Sequence, residues 1–148
     1  MTLATYKKKR EFSQTPEPKG EISKSKKASI FVVHEHWASH HHFDFRLAIG
    51  GVLKSWAVPK GPPQKAGEKR LAVQVEDHPL AYASFAGAIP EGQYGAGKVE
   101  IWDKGELEIK EKTANSLKFL LRGKKLKGEF SLFHPPSFAK KSWLLMKK

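Results

Sequence analysis

Between Ser29 and Leu47 the chain reads SIFVVHEHWASHHHFDFRL, an apolar run followed by a strict alternation. From His42 the order is His-Phe-Asp-Phe-Arg-Leu, with the period of two that a β-strand imposes, because successive side chains point to opposite faces. His42, Asp44 and Arg46 are therefore expected on one face, and Phe43, Phe45 and Leu47 on the other. Ile30–Val33 is a continuous apolar strand signal, Gly50-Gly51 marks a turn, and Val52–Val58 reads as the returning strand of a hairpin, closed by Pro59-Lys60-Gly61-Pro62-Pro63. In Leu71–Val75 alternation sends Leu71, Val73 and Val75 one way. Arg70, Gln74, Glu76 and His78 go the other way, until Pro79 limits the ladder. Ala81–Ala88 is ambiguous. Short strands follow at Lys98–Asp103, Leu107–Lys110, Leu117–Arg122, Glu129–Phe133 and Trp143–Met146, separated by turns such as Gly123-Lys124-Lys125. No internal repeat is visible. Many short strands without a long helix predict an all-β domain, a compact barrel or sandwich of short strands.

Composition adds a boundary and a partner class. The chain has 148 residues, 39% of them hydrophobic, with four Trp and nine Phe, enough for one folded domain. Residues 1–28 differ: Lys7, Lys8, Lys9 and Arg10, then Thr15-Pro16-Glu17-Pro18, then Lys24, Lys26 and Lys27, with little apolar periodicity. They read as a basic, extended and partly ordered N-terminal arm ahead of a β domain over 29–148. The absence of cysteine excludes disulfides and thiolate metal sites. No apolar run reaches ~18 residues and no secretory leader is apparent, so a cytoplasmic chain without a membrane segment is expected. Lys plus Arg total 27 against 15 acidic residues, a formal charge of +12. That balance points to a polyanion, nucleic acid first, with a merely solvated lysine surface as the competing reading.

The candidate chemistry lies in the histidine-rich stretch. His36, His42 and Asp44 form a two-imidazole, one-carboxylate set that suits Mn²⁺, Zn²⁺ or Fe²⁺ and leaves coordination positions open. His34, His40 and His41 read as surface residues or as supports for that set. Arg46 follows on the same face, and Arg70 and His78 come from another polar face; a guanidinium can hold phosphate oxygens bidentately beside a metal. Tyr82 and Lys60 could join them. The competing reading for Arg46 is a salt bridge to Glu76 or Asp77. The loop Pro90-Glu91-Gly92-Gln93-Tyr94-Gly95-Ala96-Gly97 has three glycines within six residues, yet no amphipathic helix follows, so it reads as a tight turn and not a phosphate cradle.

FVVHEHWASHHHFDFRLAIGGVLKSWAVPKGPP, followed by LAVQVEDHPLAYASFAGAIPEGQYGAGKVEIWDKG, resembles the 3′-phosphoesterase domain of bacterial DNA ligase D. The resemblance runs from about Arg10 to Trp143-Leu144-Leu145-Met146-Lys147. It implies a closed or partly open β-barrel and Mn²⁺-dependent healing of DNA 3′ ends: removal of a 3′-terminal ribonucleoside, then hydrolysis of the 3′-phosphate. By motif, it implies metal ligands at His36, His42 and Asp44, and phosphate contacts at Arg46, His78 and Tyr82. Supporting residues fall at Lys60, Arg70 and Glu76, with Arg10, Glu11 and Glu17 in the arm. The family often has glutamine where this chain has His34 and aspartate where it has Glu11. The expected partners are primer-template 3′ ends, with a separate ATP-dependent DNA ligase and Ku, and the expected state is a monomer. Two rival functions remain open on the residues alone: a non-catalytic DNA-end-binding barrel, and an Fe²⁺ oxygenase with a His-His-carboxylate triad.

Overall fold

The computed structural model describes residues 3–10, 12, 14–18 and 29–148. Its regular elements are α1 (Leu3–Lys8), β1 (Ile30–Trp37), β2 (His41–Ile49), β3 (Val52–Val58), β4 (Lys69–Pro79), β5 (Gly87–Ile89), β6 (Gly97–Thr113), β7 (Ser116–Arg122), β8 (Lys127–Phe133) and β9 (Ser142–Lys147). A 3₁₀ turn over Leu80–Ser84 links β4 to β5. The strands run in the order β1-β2-β3-β4-β9-β8-β7-β6, and β1 pairs back onto β6, closing an eight-stranded antiparallel barrel with β5 added along β6. The expected all-β barrel with almost no helix is what forms, and the ambiguous segment Ala81–Ala88 divides between the 3₁₀ turn and β5.

Alternation explains the interior. Phe31 and Val33 of β1, Phe45 and Leu47 of β2, and Trp56 and Val58 of β3 fill the barrel with Phe119, Phe130, Leu132 and Leu145 from the far wall. The opposite faces of β1–β3 are buried too. Val32, Ala48 and Leu53 pack under Leu3 and Tyr6 of α1, Tyr82 and Phe85 around the 3₁₀ turn, and Ile89 and Val99. The arm, expected to be extended, thus contains a short helix that caps this outer layer. The polar row of β2 lies between two apolar layers instead of facing water, which sets its electrostatics.

Two expectations about strands change. Lys98–Asp103 and Leu107–Lys110 belong to one 17-residue strand, β6. Gly105 between them is not a turn residue: a Cβ there would meet the Arg122 carbonyl oxygen at 2.2 Å, so glycine permits close backbone approach. Strict alternation in β4 also fails. Leu53 faces His78 while Ser55 faces Val75, so β4 carries one extra residue in this interval, a β-bulge. Before the bulge Arg70 and Ala72 pair with Leu145 and Trp143, on the interior row. After it, Glu76 and His78 turn to the outer row of β2 and β3. The shared face expected for Arg70, Glu76 and His78 is therefore split.

Candidate functional site

The β1–β2 hairpin supplies most of the site. In register, His36 lies opposite His42 and His34 opposite Asp44, so cross-strand pairing puts four polar side chains on one face. His42 Nε2 is 3.2 Å from Asp44 Oδ1, and His36 Nδ1 is 3.6 Å from Asp44 Oδ2. One ligand atom from each of the three lies within 4.8 Å of the others. The outer ring nitrogens are committed elsewhere: His36 Nε2 donates to the Gly95 carbonyl at 2.7 Å, and His42 Nδ1 to the His40 carbonyl at 2.8 Å. With the outer nitrogens held by carbonyls, the inner nitrogens face Asp44, to which they donate when protonated and beside which they would offer lone pairs to a metal, as outer-shell contacts orient metal-binding histidines. The donor set therefore fits a divalent transition metal.

Arg46 sits immediately behind this set. Its Nη2 is 3.4 Å from Asp44 Oδ2, its Nε donates to His34 Nδ1 at 3.0 Å, and its Nη1 is 3.2 Å from His78 Nδ1. Its guanidinium lies over the Tyr82 ring, 4.9 Å from the centroid. The alternative salt bridge to Glu76 or Asp77 does not form: Glu76 pairs with Lys9 and Arg10, and Asp77 with Lys54. Burial alone would raise the Asp44 carboxyl, but the Arg46 cation and the hydrogen bonds from His36 and His42 outweigh it and hold the carboxyl well below its ordinary range. Burial, then the cations of Arg46 and Arg10, hold His78 well below the usual imidazole value, so it is neutral. Its Nδ1 donates to the Glu76 carbonyl at 3.0 Å, which leaves Nε2 to accept from Arg10 Nη2 at 3.4 Å.

The arm completes the enclosure. Arg10 Nε donates to Glu17 Oε2 at 2.9 Å, and the same carboxylate oxygen accepts the Tyr82 hydroxyl at 2.6 Å. Tyr82 is thus tied by its hydroxyl to the arm, and burial pushes that phenol well above its usual value. A cavity of about 340 Å³ is lined by Arg10, His36, His42, Asp44, Arg46, Glu76, His78, Tyr82, Tyr94 and their neighbours. Lys60 and Arg70 do not line it. Lys60 is exposed in the turn after β3, and Arg70, on the interior row before the bulge, pairs with Glu68 at 3.0 Å. Glu11 lies outside the described residues.

Tyr94 and the Gly95 carbonyl were not singled out by sequence reasoning; the glycine-rich loop held both, but nothing local tied it to His36. His34 proves to be fully buried, donating from Nε2 to the Phe85 carbonyl at 3.0 Å while accepting from Arg46. Burial, aided by Arg46, lowers it from 6.5 to about 3. Between those pH values the unfolded chain takes up a proton that the folded chain refuses, so stability falls with falling pH across that window, by about 1.4 kcal/mol per unit from this group. A glutamine can accept from Arg46 and donate to Phe85 without titrating. His34→Gln is therefore expected to flatten the acid limb of metal-free unfolding curves between pH 6.5 and 3; an acid limb as steep as wild type would refute this.

The family described as the DNA Ligase D 3′-phosphoesterase domain matches residues 34–134. The chain is 47% identical over 153 aligned positions to the Multifunctional non-homologous end joining protein LigD of Pseudomonas aeruginosa, covering 98% of this chain and 18% of that protein. It is 41% identical over 154 positions to the protein of the same name from Mycolicibacterium smegmatis, covering 96% of this chain and 20% of the relative. The chain thus spans about a fifth of the length of these relatives. The His-His-Asp set backed by an arginine, on the outer layer of a closed barrel, accompanies a match over most of the chain, and the chain belongs to the DNA ligase D 3′-phosphoesterase domain family.

Proposed function

We propose that this domain is a metal-dependent phosphoesterase that heals DNA 3′ ends, hydrolysing a 3′-phosphate to a hydroxyl and resecting a 3′-terminal ribonucleoside. The observation that carries this reading is one cavity in which a His36–His42–Asp44 set adjoins Arg46, which reaches Asp44 and His78 at once. Two imidazoles and a carboxylate suit Mn²⁺, with Zn²⁺ or a similar ion as a substitute. When bound, such an ion supplies Lewis-acid polarisation of a phosphoryl oxygen and lowers the pKa of a coordinated water. Arg46 and Arg10 offer donors for the non-bridging oxygens from two sides. His78, neutral between two guanidiniums, gains proton affinity when a phosphate brings compensating negative charge, and then holds the proton that the leaving oxygen needs. Tyr82 supports both Arg46 and His78 with its ring, and Glu17 keeps Arg10 and Tyr82 in place. The net charge of +12 favours backbone contacts with DNA, salt-dependent and indifferent to sequence. The relatives' names place them in non-homologous end joining, so the expected setting is end repair alongside a ligase and Ku.

The test is a gel assay on a recessed primer carrying a 3′-phosphate or one 3′-ribonucleotide, with Mn²⁺, Mg²⁺, Zn²⁺ or EDTA, beside His42→Ala. A 3′-hydroxyl product that needs Mn²⁺ and disappears with His42→Ala is expected. DNA that is bound but unaltered with every metal would leave only a DNA-end-binding barrel.

A further inference from the structure

The β1–β2 hairpin has a second face, and it carries a different chemistry. Opposite the row of His36, His42 and Asp44 stand Trp37 and His41, directly paired across the two strands at the hairpin's end. Their rings stack, with centroids 5.5 Å apart and planes 21° apart. His41 leans on Phe43 at 5.4 Å, and Phe43 meets Trp102 edge-on at 5.6 Å. The inner members of this series are packed against the barrel core, while Trp37 at its end is 37% exposed. Two lysines attend the series: Lys98 Nζ lies 5.4 Å from the Trp37 centroid, and Lys125 Nζ 4.5 Å from that of Trp102. The nearby carboxylates are engaged. Glu35 holds His41 Nε2 at 2.8 Å and Glu100 holds Lys98 at 2.7 Å. A half-exposed indole stacked on an imidazole, with the exposed Lys98 side chain over its ring and Lys125 over Trp102 farther along the series, combines the aromatic face and the cations of a surface on which bases of a single strand stack.

We propose that Trp37 and His41 form a stacking platform for an unpaired nucleotide of the DNA strand opposite the processed end. The proposal rests on the phosphoesterase reading of the neighbouring cavity. Its geometry comes from the hairpin: residues Ala38, Ser39 and His42 line the cavity, and Trp37 and His41 stand on the opposite face of the same two strands. At a recessed 3′ end the first unpaired base of the complementary strand is adjacent to the 3′ terminus. A 3′ end entering the cavity therefore brings that base to the hairpin's other face, and the hairpin tip stands between the two strands. The lysines match the phosphates flanking such a base, and a net charge of +12 disfavours a basic partner there.

The test compares two duplexes with the same 3′-phosphate, one blunt and one with a 5′ overhang on the complementary strand, in binding and in turnover. Wild type is expected to bind the overhang duplex more tightly. Trp37→Ala is expected to lose that preference by about tenfold to a hundredfold, the range for removing one stacked base contact, while its blunt-duplex binding and turnover stay at the wild-type level. Trp37→Phe, which keeps a π-face, is expected to recover most of it. Wild type that processes both duplexes but binds them equally overturns the platform and leaves the phosphoesterase reading intact. Equal losses on both duplexes in Trp37→Ala overturn it as well, since they mark a general structural effect. Wild type inert on both removes the phosphoesterase reading, and the platform with it.

Discussion

Arg46→Ala is expected to cost about 10²–10³ in turnover on 3′-phosphate ends, the loss typical when a donor aimed at developing charge is removed. The same change is expected to destabilise the metal-free protein by about 3–5 kcal/mol, because it leaves a buried carboxylate without its cation. Asp44 and Arg46 are both almost fully buried, so no solvent replaces the lost partner. Arg46→Lys tests geometry against charge: one ammonium cannot donate to His34 and pair with Asp44 at once as the guanidinium does. It should recover part of the stability and little of the turnover. The pH dependence has a definite sign. Asp44 titrates low in the folded protein, so its contribution is present above the unfolded carboxylate value and is lost as pH falls through the folded one. Without Arg46 that loss begins at higher pH. Chemical denaturation from pH 7 to 3, with single-turnover kinetics, measures all of this; wild-type turnover in Arg46→Ala would take the guanidinium out of the mechanism.

Asp103→Ala is expected to produce a comparably large loss of stability with no direct effect on the site. This carboxylate is 4% exposed and accepts four backbone N–H groups. Oδ1 takes Lys104 and Lys124, both at 2.9 Å; Oδ2 takes Lys125 at 3.1 Å and Leu126 at 2.8 Å. It thereby ties β6 to the connection between β7 and β8. Hydrogen bonds to a charged group are worth about 1.5–3 kcal/mol each and are not additive, so a net loss of about 3–5 kcal/mol is expected. Asp103→Asn should recover little, since its amide NH₂ would face two N–H donors. Gly123 belongs to the same joint: a Cβ there would stand 2.4 Å from Asp103 Oδ2 and 2.6 Å from Phe31 Cζ. Urea unfolding of both Asp103 variants checks the claim, with turnover of the folded fraction as control. An unchanged unfolding midpoint in Asp103→Ala would show that water replaces the carboxylate at no cost.

These two aspartates mark how far the chain could be read in one dimension. Asp44 was legible because a strand's period of two put it in phase with His42 and Arg46; the pairing that sets His36 opposite His42 emerged only in the fold. The period is local: it spans a few residues and is set by backbone geometry. Asp103 gave no such signal, because three of its four partners lie 21 to 23 residues away, beyond β7. The same distance effect hid the Gly95 carbonyl that orients His36; Glu17 was named through the family resemblance, but its tie between Arg10 and Tyr82 emerged only in the fold. Arg70 was grouped with His78 because alternation cannot register a bulge, which inserts one residue and reverses every face beyond it.

The sequence by itself determined the all-β character, the strand that carries His42, Asp44 and Arg46 with its return through Gly50-Gly51, and the two faces of β2, since each follows from side-chain period and turn residues. Only the tertiary structure decided that the polar face is buried, because burial depends on α1, the 3₁₀ turn and β5 folding over it. That second apolar layer takes Asp44, Arg46, His34 and His78 out of water, which is why Asp44 and Arg46 are paired and the proton affinities of Asp44, His34 and His78 are displaced.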